Sequence, residues 1–307
     1  MLDPRQLQLL HEVARTGSYS AAARELGFSQ PAISYQMRRL EQEVGAQLTV
    51  RIGRAMKLTP AGTALLAHTE RILAAVRAAE NQLAELADGG AGSVRLAAFP
   101  SACATLPPAA MAAMRRSNPK IEVRLVQAEP QRARELVRRG AADVALGYHY
   151  PELQAPVAEP GGSGPERHEV LVEDIHLVLP MDHPAASHRL VEVDRLSDAT
   201  FLVASSRFEA RLQALASAAG FTPKILTMVD DYVAMQALVA AGFGLALVPD
   251  LAMRAHRDPR IVTRTLEGWP RRHVRLVYWP DMLRVEPVRA LVGNLVAAAD
   301  AVSRRTT

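Results

Sequence analysis

The stretch from Asp3 to Pro60 constrains this chain most, because helix caps and stops recur there too closely for any long element. Asp3 suits an N-cap and Pro4 the first helical position, where a missing N–H costs nothing. Leu7, Leu10, Val13 and Ala14 keep helical spacing to about Arg15, and Gly17 stops that helix. Ser18 caps a second helix with Ala22, Ala23 and Leu26 on its inner side, and Gly27 supplies the left-handed residue of a sharp turn. Ser29 caps a third helix, which tolerates Pro31 in its first turn. Its apolar positions Ile33, Met37, Leu40 and Val44 face inward, and Gly45 ends it. The opposite face carries Pro31, Ser34, Tyr35, Arg38 and Arg39, with Gln30 at the amino-terminal tip. Leu48–Ile52, Gly53-Arg54-Ala55 and Met56–Thr59 then read as a two-stranded wing, with Arg51 and Lys57 flanking the Arg54 tip.

Helix, tight turn, helix and basic wing suit entry into a DNA major groove. The second helix of such a pair sets its amino-terminal residues against base edges. Gln30 can bond adenine in two places, and Ser29 and Ser34 bond several bases less selectively. Tyr35 offers a thymine-methyl contact or a donor to phosphate. Arg38 and Arg39 suit phosphates, which fix register, and Arg54 suits an adjacent minor groove. The net charge of +4 is small, but residues 31–60 hold five of the basic side chains against Glu41 and Glu43, a local +3. The competing reading is a small helical bundle with an ordinary charged face.

Thr59-Pro60 opens a long helix reaching about Asp88. Leu65, Thr69, Ile72, Val76, Ala79, Leu83 and Leu86 step by four and three along it, a heptad seam. Such a stripe must be buried, either against its own domain or against the same helix of a second copy. A homodimer is favoured, because reading two half-sites needs two copies at fixed spacing. Residues 89–93 are Gly-rich and read as a hinge.

From Val94 strands alternate with helices, which predicts a helix-covered, mainly parallel sheet. Strands are expected at Val94–Phe99, Ile121–Val126 and Asp143–Gly147, with helices Leu106–Ser117 and Gln131–Arg139 between them. A second series follows, with strands at Leu171–Leu179, Phe201–Ala204, Lys224–Val229, Leu245–Pro249 and Ile261–Leu266. Val274–Trp279 carries the chain back, and Val285–Ser303 is a final helix. The loop Glu159–Pro165 marks the neighbourhood of a crossover. The expectation is therefore α/β overall: a winged helix-turn-helix at 1–59, a linker helix at 60–88, and a two-lobed, periplasmic-binding-protein-like domain at 94–307. Its first lobe takes about 94–165 and 270–307, and its second about 166–269.

The cleft between two such lobes is the default ligand site. Ser101 follows the first strand just before a helix start, where free N–H groups favour an anion. Ser205 and Ser206 hold the matching place in the second lobe. The ligand class this favours is a small carboxylate, against a reading of these serines as caps and turn residues.

Other chemistry is thinly represented. Cys103 is the one cysteine, so no internal disulfide forms. The nine histidines are scattered and no metal site is expected. Gly242-Phe243-Gly244 lies between helix and strand and reads as a helix stop, so no cofactor is expected either. No nucleophile elbow or acid–base pair supports an enzyme of the cleft. A solute-binding component would leave residues 1–60 unexplained. Neither an export signal nor a membrane span is read, so a cytoplasmic protein is expected.

The residues Ala21–Leu26, Ser29–Ser34, Gln36, Leu40-Glu41, Gly45, Leu48, Arg51, Leu58-Thr59 and Gly62 resemble the amino-terminal domain of the LysR-type transcriptional regulators. Phe99-Pro100-Ser101, Glu129-Pro130, Gly242–Gly244 and Val248-Pro249 resemble that family's effector domain. Tyr35 stands where the family commonly has arginine, and Thr49 where phenylalanine is usual. The resemblance implies a regulator that binds an inverted-repeat promoter site as a dimer or dimer of dimers. It implies effector contacts at positions like Ser101, Pro130, Ser205 and Ser206, and RNA polymerase as a further partner.

Overall fold

The computed structural model describes residues 2–53, 55–87, 92–151 and 165–304. Three short helices come first: α1 (Pro4–Thr16), α2 (Tyr19–Leu26) and α3 (Gln30–Val44). Asp3, Ser18 and Ser29 cap them with side-chain oxygens that accept backbone N–H groups. Gly17, Gly27 and Gly45 end them in the left-handed conformation. Leu10, Val13, Ala22, Ile33, Met37, Leu40 and Leu48 make a common core. Val44, expected inside, is 37% exposed, because the chain has already turned away from the core beside Gly45.

The wing is the antiparallel pair β1 (Thr49–Ile52) and β2 (Ala55–Leu58). It is tied down at several points. The Met56 N–H donates to the Gly17 carbonyl, and Leu48 and Thr49 N–H groups donate to Glu41 Oε1. The Thr49 and Tyr19 hydroxyls hydrogen-bond at 2.7 Å, a further polar tie between β1 and α2.

Helix α4 (Pro60–Ala87) splits its faces. Gly62, Thr69, Glu70, Leu73 and Ala74 are buried against the rest of the same chain. Of the predicted seam, Thr69 belongs to this inner face, a correction to its assignment as an outward contact. Leu65 packs partly on the amino-terminal core, and Ile72 and Val76 are half-buried. Ala79 is exposed and Leu83 is 66% exposed, and the Leu86 side chain lies outside the described residues.

The remainder forms two sheets. Lobe I has β3 (Gly92–Ala98), β4 (Ile121–Gln127), β5 (Val144–His149), β6 (Glu166–Glu173) and, much later, β13 (Arg272–Tyr278). Their order is β4-β3-β5-β13-β6, with β3, β4 and β5 parallel and β13 antiparallel to both neighbours. Helices α5 (Pro100–Cys103), α6 (Leu106–Ser117), α7 (Pro130–Arg138) and the final α11 (Glu286–Ser303) belong with this lobe. Lobe II has β7 (Ile175–Pro180), β8 (Leu190–Val191), β9 (Thr200–Val203), β10 (Lys224–Met228), β11 (Leu245–Pro249) and β12 (Ile261–Leu266) in the order β10-β9-β11-β7-β12-β8. Its helices are α8 (Ser206–Ala218), α9 (Tyr232–Ala240) and α10 (Asp250–Ala255).

Two boundaries move. Residues 166–173, expected in the second lobe, pair with β13 in the first, and the expected strand Leu171–Leu179 is broken at Asp174. The apolar run hides this break, because residues on either side of it are buried in different cores. Of the expected hinge, 89–91 lie outside the described residues, whereas Gly92 and Ser93 already pair with Ile121 and Glu122. The loop 159–164 also lies outside the described residues.

Helix α1 bridges the amino-terminal unit to lobe I. Arg139 donates to Glu12 at 3.1 Å, and His11 stands 3.7 Å from Glu70 and 3.9 Å from Glu135. Burial holds the His11 imidazole below its ordinary value of 6.5, against the pull of Glu135 and Glu12. The unfolded chain takes up a proton at His11 as pH falls through 6.5, while the folded chain resists it. Stability is therefore greatest above that value and declines below it. Burial likewise lowers His149 and His183. Chemical denaturation at pH 7.5 and 5.5, two pH values chosen about one unit either side of the histidine value, should show this loss, and His11→Gln should shrink it.

Candidate functional site

The free face of α3 follows from its capping. Ser29 sets the helix start, so Gln30 and Pro31 stand exposed at its amino-terminal tip. One and two turns on, Ser34 is half-buried, Tyr35 is 59% exposed, and Arg38 and Arg39 point outward. No other part of the described chain covers this surface. Arg39 pairs with Glu43 one turn away at 3.2 Å, a solvated pair that a phosphate can displace at little cost. Arg51 and Lys57 are exposed on the wing, and Arg51 donates to the Gly53 carbonyl. Arg54 lies outside the described residues. One helix face and one wing thus present Gln30, Ser34, Tyr35, Arg38, Arg39, Arg51 and Lys57 from a single rigid unit.

The crossing between the lobes is organised by a residue that sequence reading missed. Arg272 opens β13 and is 1% exposed. Directly across the ladder lies Glu173, the last residue of β6, and their side chains pair at 2.6 Å. Arg272 Nη2 also donates to Ser101 Oγ at 2.8 Å, and the Leu251 N–H from lobe II donates to Glu173. The guanidinium lies 4.9 Å from the Phe99 ring centre and 4.7 Å from that of Tyr148. Tyr150 stacks edge-on to Tyr148 from one side and to Phe208 of lobe II from the other. Its hydroxyl is buried without a hydrogen-bond partner in the structure. Burial pushes the Tyr148, Tyr150 and Tyr232 phenols up, so all three are neutral donors at any physiological pH. Burial also pushes Glu173 up, while Arg272 pulls it back; Glu173 in turn raises Arg272, which stays charged.

The residues singled out from sequence fall unevenly around this centre. Ser101 sits within the single turn α5 rather than ahead of α6, and is taken up by Arg272. Pro130 begins α7 and is half-buried. Ser205 caps α8 by accepting the Phe208 N–H, and Ser206 is the exposed first residue of that helix. The chain crosses between lobes at Asp174 and again before Arg272. A second pair, Arg271 to Asp174 at 2.8 Å, stitches the same crossing at the surface.

The LysR substrate binding domain matches residues 87–300, and the LysR-family bacterial regulatory helix-turn-helix matches residues 4–63. A probable nitrogen assimilation transcriptional activator from Synechococcus elongatus is 30% identical over 292 residues, covering 92% of this chain and 91% of that protein. The transcriptional dual regulator GltC of Bacillus subtilis is 31% identical, covering 86% and 85%. Among solved structures, a full-length OxyR variant from Pseudomonas aeruginosa superposes with a TM-score of 0.61 at 20% identity, covering 97% of this chain and 95% of its own. CbnR complexed with its target DNA gives 0.53 at 24% identity, covering 97% and 100%. Those structural likenesses speak to the fold; the sequence matches span both halves. A regulatory helix-turn-helix joined through one long helix to a two-lobed effector domain makes this chain a member of the LysR-type transcriptional regulators.

Proposed function

We propose that this chain reads an inverted-repeat promoter site through Gln30–Arg39 and the wing, and that a small carboxylate held between the lobes sets its activity. The observation that carries the first part is the uncovered α3 face with its wing arginine and lysine. Two copies are needed, and the outward residues Ile72, Val76, Ala79 and Leu83 offer the pairing surface. A dimer of dimers acting beside RNA polymerase in the cytoplasm fits that arrangement. The work of the protein is binding rather than catalysis, in keeping with relatives that are transcriptional regulators.

The carboxylate reading draws on the donors around the cleft. Arg272 is a buried cation held by Glu173 and Ser101, and the Tyr150 hydroxyl is a buried donor in want of an acceptor among the described residues. Ser205 and Ser206 at the start of α8 supply a helix N-terminus on the facing lobe.

A gel-shift titration with DNA from upstream of the protein's own gene tests the reading. Binding should be sequence-dependent and fall steeply with salt. Gln30→Ala should cost about 1–3 kcal/mol at a matched base and relax preference there. Arg38→Ala should weaken all sequences alike and reduce the salt slope by about one. If both variants bind as the parent does, α3 does not lie along the duplex.

A further inference from the structure

Three side chains unused by either site converge on lobe I. His149 ends β5, His273 is the second residue of β13, and Glu169 lies on β6. His149 and His273 are direct cross-strand partners, their rings 5.2 Å apart. His273 Nδ1 lies 2.8 Å from Glu169 Oε2. One nitrogen or oxygen from each of the three falls within 4.8 Å of the others.

Glu169 reaches this face through a register shift. Leu171 stands opposite Val274, so an unbroken ladder would set Val170 opposite Arg275. The shift between Val274 and Arg275 puts Glu169 there instead, while Val170 packs on the lobe I core. Bulges of this kind re-aim side chains. The result is a carboxylate on the same face as two imidazoles.

We propose that His149, His273 and Glu169 form a binding site for a divalent transition-metal ion of the zinc, cobalt or nickel type. Two imidazole nitrogens and one carboxylate oxygen suit those ions rather than calcium or magnesium, which prefer all-oxygen shells. Three ligands leave positions for water or a further group. His149 Nδ1 lies 3.3 Å from the His273 carbonyl, which fixes that N–H and leaves Nε2 its lone pair. Metal binding replaces the contact between His273 and Glu169.

The position gives the site a consequence. Side chains alternate along a strand, so His273 lies on the back of the strand whose front carries Arg272. His149 likewise lies behind Tyr148 and Tyr150. A bound ion would brace β5, β13 and β6 where they support the cleft, and so adjust the site from behind without entering it. This proposal stands apart from the regulator reading.

The test uses the full chain, stripped with a chelator and titrated with Co2+ while its d–d absorption is followed. The expected result is one ion per chain, displaced by Zn2+. Binding should weaken at least about 10-fold in His149→Ala and His273→Ala and also in Glu169→Gln, with His188→Ala unchanged. In the parent alone, Zn2+ should protect His149 and His273, but not His188, from diethyl pyrocarbonate, read by mass spectrometry. Binding equal to the parent in all three ligand variants, no uptake of Co2+, or no protection of the pair would each overturn the proposal.

Discussion

Arg272→Met is expected to be the most damaging single change in the effector half. It leaves Glu173 buried with no countercharge, a situation that costs about 3–5 kcal/mol. In a unit of this size that lowers the melting temperature by on the order of 10 °C, at about 2–4 °C per kcal/mol. The Leu251 N–H donates to the same carboxylate, so the loss spreads into lobe II. Glu173→Gln combined with Arg272→Met should recover much of the stability, because both charges are then gone. The double variant should still respond poorly to effector, since the Ser101 hydroxyl and both aromatic rings lose the group they surround. Calorimetry separates the two outcomes. A single variant as stable as its parent would mean that the pair does not hold the crossing together.

Gly62→Ala is expected to abolish tight DNA binding from a position outside the reading face. A Cβ at residue 62 would fall inside the Leu48 carbonyl oxygen and against the Leu58 side chain. That carbonyl is not free to retreat, because it accepts the Thr59 N–H at 3.0 Å, and the Gly62 N–H is itself donated to Thr59 Oγ1. Accommodating the methyl group therefore means prising the wing from α4. Overpacking costs about 1–3 kcal/mol, and more when backbone rather than a side chain is struck. A loss of about 10-fold or more in DNA affinity, equivalent to about 1.4 kcal/mol, should accompany a lower melting temperature. Gly293→Ala, where a Cβ meets open space in the middle of α11, serves as the control and should leave DNA affinity unchanged while raising the melting temperature slightly, because alanine favours the helix. Wild-type binding by Gly62→Ala would show that the wing tolerates displacement.

The amino-terminal unit was legible because its instructions are local. Each cap and each left-handed glycine acts within a few residues, and three of each fall in order. The split of the long helix was not legible. Its stripe of small and apolar residues runs from buried to exposed positions, and spacing alone does not tell Thr69, which faces inward, from Leu83, which does not. The break at Asp174 was hidden for a similar reason. One apolar run feeds two cores, and the polar residue between them looks like any solvated position.

The cleft shows a sharper limit. Arg272 lies in a run with two other arginines, Arg271 and Arg275, within five positions, and nothing local marks it as the buried one. Its partner is 99 residues away and its meaning comes from the ladder that sets the two opposite each other. The serines were singled out because they follow strands, which is a local sign. The tyrosines at the end of β5 were missed because a strand end rich in aromatics reads as ordinary core. The histidine pair was overlooked on the same ground: 124 residues separate its members.

The contact of α1 with α7 has a mechanical corollary. With Glu12, His11 and Glu70 meshed against Glu135, Arg138 and Arg139, the DNA-reading head and lobe I form one chassis, and lobe II hangs from it on two struts. Were a ligand to draw the lobes together, the head would keep its seat and the far lobe would swing. In an assembly of several copies, the spacing between heads would then follow where such swinging lobes came to rest on their neighbours.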